Sequence, residues 1–336
     1  MRTRGLFVNG TGAYVPDRVA VADAVAAGWY DAEDAESSGL VSIAVAGDVP
    51  AVDLALQASR TALEHASTPA ASLSHLLYVD VYQSGPEGWL PYSYLQRRLA
   101  AGHAFAAGIR QGCNGMFGAL ALADAALRAA PSGQHALVVA ADNFGSPTLD
   151  RWRCNPGLVM ADGAGALVLS REHGVAEVLS VGSVTLPDLE GMHRGAMPLH
   201  PADASTGRAP DFDARFAEFA ASGGLGPGSG LEFVQQFIGL VDRLLDEADV
   251  DLRQVARVLF NHAGREVVED RLGPLGIKLD DTTWEFGSTV GHVGAADHVI
   301  ALDHLLAGDA IGPGDHVLLL GVGPGVNIAG GVIRVS

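Results

Sequence analysis

Short apolar runs, each closed by Gly, Asp or Asn, recur along the whole chain, with Ala/Leu-rich stretches between them. The runs are 5–8, 76–79, 135–140, 165–169, 258–260, 316–320 and 332–335. Runs of this kind suit strands covered on both faces. The stretches 52–65, 116–129, 231–248 and 295–307 carry helical spacing. This alternation predicts a layered α/β fold. A faint echo runs through it. Residues 135–141, HALVVAA, lead into 163–169, GAGALVL; near the end 316–321, HVLLLG, lead into 330–335, GGVIRV. Each is a strand, a loop and a glycine-rich strand, as two similar halves would give.

Composition narrows the function. A chain of 336 residues that is 48% hydrophobic and 18% charged can bury a large core, and disorder is excluded as its main state. Lys and Arg number 21 against 39 Asp and Glu, a net charge of -18, which repels a phosphate backbone and argues against nucleic acid. The start, MRTRGLFVNGTGAYVP, has its apolar run interrupted by Asn9, Gly10 and Thr11. It reads as a first strand, not a targeting segment. No run of 18 uninterrupted apolar residues marks a membrane helix. Two distant cysteines make no disulfide framework, which fits a reducing cytoplasm. Residues 186–230 break the rhythm with Pro187, Pro198, Pro201, Pro210 and Pro227. A long aperiodic segment is usually functional or mobile; this one separates the halves and could cover a site.

One cysteine stands out. Cys113 lies in QGCNGM at the mouth of the helix expected over 116–129. Free N–H groups and the dipole at a helix start favour a thiolate. Gly112 and Gly115 leave room for a substrate. The alternative role is that of a small buried hydrophobe. A nucleophile needs a base. Among 12 histidines, His292 sits in GHVGAAD, a glycine-flanked turn entering a helix, with Asp297 in its first turn. Asp297 either orients His292 or serves only the helix dipole. His193 lies in the irregular segment, and Asn261 and His262 follow the strand 258–260, where loops leave a sheet. His298 and His304 are six apart and share no helix face for a metal. No zinc or HExxH spacing occurs, so no metal is expected. The loop 321–325, GVGPG, either aims N–H groups at an oxyanion or is a tight turn between two strands. Gly10-Thr11-Gly12 lacks the third glycine of a dinucleotide fingerprint, since position 15 is Val15. Cys154 reads as structural. Arg151 and Arg153 are cations in an acidic protein, either substrate-binding or simply solvated.

Together the stretches GTGAYVPDRV, QGCNGMFGALALADAAL, VMADGAGALVL, GHVGAADHVIALDHLL and GVGPGVNIAGGVIRV resemble the thiolase superfamily. The resemblance covers nearly the whole chain. It is greatest to β-ketoacyl-acyl carrier protein synthase III and its acyltransferase-like relatives in polyketide and antibiotic pathways. It implies a five-layered αβαβα fold of two similar halves, 1–172 with the nucleophile and 173–336 with the base. It implies a homodimer, no bound cofactor, and an acyl-CoA or acyl-phosphopantetheine thioester as donor, with an acyl carrier protein as a candidate partner. Cys113 matches the cysteine that takes the acyl group.

Condensing members of that family add a histidine and an asparagine to stabilise an enolate. Here His292 stands where the asparagine is expected. Asn261 stands where the histidine is expected, unless His262 takes that place with a one-residue shift. The family's three glycines are GPG here, and Pro324 has no N–H for an oxyanion hole, leaving the N–H groups of Cys113 and Gly325. These departures resemble the branch that moves an acyl group onto a hydroxyl or amine with a Cys-His-Asp set, here Cys113, His292 and Asp297. The other functions weighed are a decarboxylative condensing enzyme and a non-catalytic gating subunit.

Overall fold

The computed structural model describes every residue except 146–148, 156 and 202–208. In chain order the strands are β1 (Arg2–Tyr14), β2 (Arg18–Ala20), β3 (Ser42–Ala44), β4 (Leu73–Val79), β5 (Phe105–Ile109), β6 (His135–Asp142), β7 (Gly163–Ser170), β8 (Ala176–Thr185), β9 (Val255–Leu259), β10 (His316–Gly323) and β11 (Asn327–Val335). Nine of them form one mixed sheet in the order β5-β4-β6-β7-β1-β8-β11-β10-β9, while β2 and β3 pair apart from it. β4 runs parallel to β5 and β6, and β9 parallel to β10; the other pairings are antiparallel.

The same order occurs twice. β1, the helix Ala51–His65, β4, the helix Gly115–Ala129 and the β6–β7 pair come first. β8, the helix Ser229–Ala248, β9, the helix Asp297–Ala307 and the β10–β11 pair follow. The sequence echo is the likeness of these two hairpin pairs. β1 and β8 pair with each other, so the two β-layers are parts of one continuous sheet.

Helix chemistry explains the layering. The helices Gly115–Ala129 and Asp297–Ala307 are rich in apolar residues and bury nearly all of their first turn and a half. They pack against strands of both halves and form the middle layer. Met116, Phe117, Leu120 and Leu127 are all nearly inaccessible, and such burial contributes about 1.5–3 kcal/mol per large side chain. The helices Ala51–His65 and Ser229–Ala248 are amphipathic and cover the outer faces. Five layers result, αβαβα, the thiolase-like arrangement. Gly12 belongs to this packing rather than to any nucleotide: a Cβ there would stand 2.3 Å from the Ala58 carbonyl oxygen of the Ala51–His65 helix.

Residues 202–208 of the irregular segment 186–230 lie outside the described residues. Its described part holds a 3₁₀ turn, Pro187–Met192, and the helix Phe212–Ala221, which the sequence reading did not anticipate.

Candidate active site

Two segments distant in sequence converge at the start of the Gly115–Ala129 helix. The turn before it carries Cys113, buried but 9% exposed. Gly112 adopts φ +57°, a region that favours glycine. A Cβ there would also lie 2.7 Å from Cδ of Pro324, which packs over the turn. Asn114 is fully buried, and its amide donates to the carbonyls of Gly321 and Asn327 and to Asn327 Oδ1 at 3.2, 2.7 and 3.0 Å. This ties the cysteine turn to the β10–β11 hairpin.

The second segment carries His292. Its N–H donates to the Val159 carbonyl at 2.9 Å, and its carbonyl accepts from Ala161 N–H at 2.8 Å. On the other side, Val41 and Ala44 of the N-terminal half donate to the carbonyls of Ser288 and Val290, each at 2.8 Å. Gly291, at φ +82°, turns the chain between these clamps, and a Cβ would meet Ile43 at 2.7 Å. His292 Nε2 then stands 3.1 Å from Cys113 Sγ, and His292 Nδ1 is 2.6 Å from Asp297 Oδ2. Asp297 is fully buried and also accepts from His262 N–H at 2.8 Å and Val293 N–H at 2.7 Å.

The electrostatics follow. Burial alone would lower the His292 imidazole, but Asp297 and Cys113 outweigh it and hold its pKa well above the usual histidine value. Burial opposes the Asp297 carboxylate, yet His292, His262 and the backbone donors hold it below the usual range. The pair is therefore built to carry an imidazolium against a carboxylate, with Nε2 facing sulfur. That arrangement passes a proton between the thiol and whatever replaces it.

Other buried groups surround the three. Asn261 Oδ1 accepts from Val322 N–H at 2.9 Å, and its Nδ2 has no hydrogen-bond partner among the described residues. A Cβ on Gly321 would fall 2.5 Å from Asn114 Oδ1 and 3.3 Å from Asn261 Oδ1. Gly321 therefore lies against both Asn114 and Asn261. His262 points its Nδ1 at the Gly291 carbonyl, 3.1 Å away. His298 Nε2 donates to the Leu320 carbonyl at 2.7 Å, and burial pushes that ring down to about 4.

Asp142, at the end of β6, accepts from Tyr82 and Val81 N–H at 2.8 and 3.0 Å and borders Gly294. Burial pushes its carboxyl up to about 8, against the backbone donors and His292, which favour the anion. A raised carboxyl stabilises the fold fully below its unfolded value near 4, and that contribution is lost as pH climbs toward 8. Asp142→Asn keeps one acceptor and never ionises. Its stability relative to the wild type should rise between pH 4 and 8, by up to about 1.4 kcal/mol per unit. Urea unfolding of both proteins across that range checks this; a constant difference would mean that Asp142 titrates normally.

The structure moves two expected substrate contacts elsewhere. Arg151 grips the fully buried Asp162 with both terminal nitrogens, each at 3.1 Å. Asp162 also accepts from Ala46 and Phe144 N–H, so Arg151 neutralises a buried carboxylate and is not free for a ligand. Arg153 pairs with Asp31 at 3.0 Å and donates to the Gly28 carbonyl at 2.9 Å. His193 lies edge-on to Phe212 at 6.0 Å, its ring pushed down by burial, and its carbonyl accepts from Arg215. None of these contacts joins it to Cys113, His292 or Asp297. In the 321–325 loop, Gly323 is the glycine nearest the cysteine: a Cβ there would stand 3.4 Å from Cys113 N. A Cβ on Gly325 would have nothing within 4 Å. Cys154 is buried, and burial pushes its thiol up to about 11. Among the described residues, no group of three His, Cys, Asp or Glu side chains could hold a metal, and no helix is long and apolar enough to cross a membrane.

Sequence reasoning passed over Asn114 and His262's hold on the base. Asn114 carried one signal, an amide wedged between Cys113 and Gly115 at a helix start. His262 carried none beyond adjacency to Asn261.

Comparison with known proteins gives the family. Residues 108–185 match the family described as 3-oxoacyl-[acyl-carrier-protein (ACP)] synthase III, and residues 245–335 match its C-terminal region. The acetoacetyl CoA synthase NphT7 of Streptomyces sp. (strain CL190) is 30% identical over 336 residues, covering 95% of this chain and 95% of that protein. The solved structure of the acyltransferase ChlB3 superposes with a TM-score of 0.94 at 46% identity, covering 98% of this chain and 97% of that one. The 3-oxoacyl-[acyl-carrier-protein] synthase III of Aquifex aeolicus VF5 shares the fold, with a TM-score of 0.77 at 21% identity over 98% of this chain and 100% of that one. The chain belongs to the 3-oxoacyl-[acyl-carrier-protein] synthase III family of the thiolase superfamily.

Proposed function

We propose that this chain is an acyltransferase that carries an acyl group on Cys113 from a thioester donor to a hydroxyl or amine acceptor. The observation that carries this reading is the Cys113–His292–Asp297 relay, with contacts of 3.1 and 2.6 Å. A histidine whose Nδ1–H is bound to a carboxylate presents Nε2 as a proton acceptor. Transfer to an alcohol or amine needs a base of that kind. The 46% identity to ChlB3, described as an acyltransferase, supports the same side.

The steps balance as follows. Cys113 thiolate attacks the thioester carbonyl and forms the new carbon–sulfur bond. The oxyanion collapses and expels the donor thiolate, which takes the proton from the His292 imidazolium. Neutral His292 then removes a proton from the acceptor as it attacks the acyl-cysteine. Collapse expels Cys113 thiolate and restores the starting ion pair. The backbone N–H of Cys113 is the first oxyanion donor proposed and Gly325 the second.

The donor is an acyl-CoA or an acyl-carrier-protein thioester, with no resident cofactor. Arg151 and Arg153 are engaged elsewhere, so a carrier would meet other cations, such as Arg97 on the helix Pro91–Leu99. A second copy of the chain is proposed as partner, in a homodimer. The setting proposed is a cytoplasmic secondary-metabolic pathway.

A decarboxylative condensing role is the second reading. It is favoured by the buried, unpartnered Nδ2 of Asn261, a donor available to an enolate, and by the relative NphT7, named a synthase. Incubation with acyl-CoA or acyl-carrier protein, then with an alcohol, an amine or a malonyl thioester, separates the two. Ester or amide formation without carbon dioxide release is expected. Carbon dioxide release with a new carbon–carbon bond would replace transfer by condensation.

A further inference from the structure

His262 is buried beside the relay, and its hydrogen bonds go to Asp297 and Gly291. Its backbone N–H donates to Asp297 Oδ2 at 2.8 Å. Its ring reaches the other way, with Nδ1 3.1 Å from the Gly291 carbonyl oxygen. A carbonyl only accepts, so Nδ1 carries the proton and the neutral ring donates. The Gly291 carbonyl and the His292 N–H belong to one peptide unit, and that unit is planar. Its oxygen is held by His262 and its N–H by the Val159 carbonyl at 2.9 Å. The plane that launches the His292 side chain is thus fixed at both ends. The glycine at its start, in a conformation open mainly to glycine, would otherwise leave that plane loosely determined.

We propose that His262 is a positioning residue, whose ring holds the Gly291–His292 peptide while its backbone holds Asp297, so that His292 Nε2 stays in reach of sulfur. This rests on the acyl-transfer reading of the relay. The ring is well supported for the task. Phe286 meets it edge-on at 6.0 Å, and a Cβ on Gly287 would fall 2.8 Å from its Cδ2. The charged and titratable groups around it are Asp297, with Oδ1 3.6 Å from Nδ1, and the rings of His292 and His298. Burial, the largest influence, disfavours the imidazolium, which keeps the ring a neutral donor at neutral pH.

The test follows alkylation of Cys113 by iodoacetamide from pH 5 to 9, read by mass spectrometry of the Cys113 peptide, with thermal unfolding alongside. The full chain is used as wild type, His262→Leu, His262→Asn and His292→Ala. Leucine fills the space and removes the donor, whereas asparagine places an N–H near Nδ1. For His262→Leu the midpoint of the pH–rate profile should move up by at least about one unit. Its turnover should fall about 100-fold, the scale of a small misplacement of a reacting group. His262→Asn should stay within about threefold of wild type. A folded leucine variant with the wild-type profile would overturn the proposal. If the leucine variant does not fold, the asparagine variant decides: a wild-type profile supports the proposal, and a shift of more than about one unit overturns it. The His292→Ala control separates the two levels. If it leaves the profile unchanged, the relay reading falls and this inference falls with it. If it moves the profile and His262→Leu does not, only this inference falls.

Discussion

Replacing Cys113 by alanine should abolish acyl transfer, lowering turnover by at least about 10³–10⁴-fold, while the fold survives. The size follows from covalent catalysis: without the thiol, no acyl-enzyme splits the reaction into two easier steps. What remains is binding and the backbone donors around residue 113. The fold should tolerate the change because Cys113 is small and its neighbours are held by other means. Asn114 ties the turn to β10–β11, and Gly115 N–H closes it onto the Gly112 carbonyl at 3.0 Å. His292 loses its sulfur partner but keeps Asp297. Intact-mass spectrometry after incubation with an acyl thioester checks the claim. Wild type should gain one acyl group on the Cys113 peptide and Cys113→Ala none; full turnover by the alanine variant would remove Cys113 from the mechanism. Cys154 is a built-in control, because its buried thiol, pushed up to about 11, should not load.

The residues that converge on that sulfur were legible in the sequence for a definite reason. Each sits where backbone geometry leaves a local mark. Cys113 and His292 are bracketed by glycines, and Asp297 opens a helix, so type and spacing alone nominated them. The layered fold was legible for a similar reason, since buried strands and helices must be apolar whatever they touch. β5 and β8 escaped notice. β5 is a short edge strand with Phe105 exposed, and β8 interrupts its inward Ala176, Val178 and Val181 with Glu177, Ser180 and Gly182. The arginines show the opposite failure. Arg151 and Arg153 stood out as cations in an acidic chain, but their partners are decided by the fold. Asp162 lies 11 residues on and Asp31 lies 122 residues back. His262 was equally opaque, because the carbonyl its ring meets lies 29 residues away.

Asp297→Asn should cost both activity and stability, by routes that pH separates. The carboxylate takes His292 Nδ1–H and His262 N–H on Oδ2 and Val293 N–H on Oδ1. Asparagine has one acceptor oxygen, so its NH₂ must face at least one buried donor. If the NH₂ replaces Oδ2, His262 N–H is orphaned, and His292 relieves its own clash by moving its proton to Nε2. That nitrogen then faces sulfur as a donor and is no longer a base, a tautomer error worth about 10⁴ in turnover elsewhere. If the NH₂ replaces Oδ1, Val293 N–H is orphaned instead, at about 1–3 kcal/mol. In either case the buried ion pair is lost, and breaking one by removing a partner costs about 3–5 kcal/mol.

The pH dependence fixes which part is electrostatic. Asp297, depressed in the folded state, stabilises above its unfolded value near 4, and this is lost as pH falls below it. His292, raised in the folded state, stabilises fully below its unfolded value near 6.5, and this is lost as pH rises through its folded value. The stability gap between wild type and Asp297→Asn should therefore be widest from about pH 4 to 6.5. It should narrow on the acid side and again at high pH. Denaturant unfolding of both proteins at pH 3, 5.5 and 9.5 reads this directly. A gap that does not change with pH would show that Asp297 serves the fold through its hydrogen bonds alone, and that His292 carries no charge for it to balance.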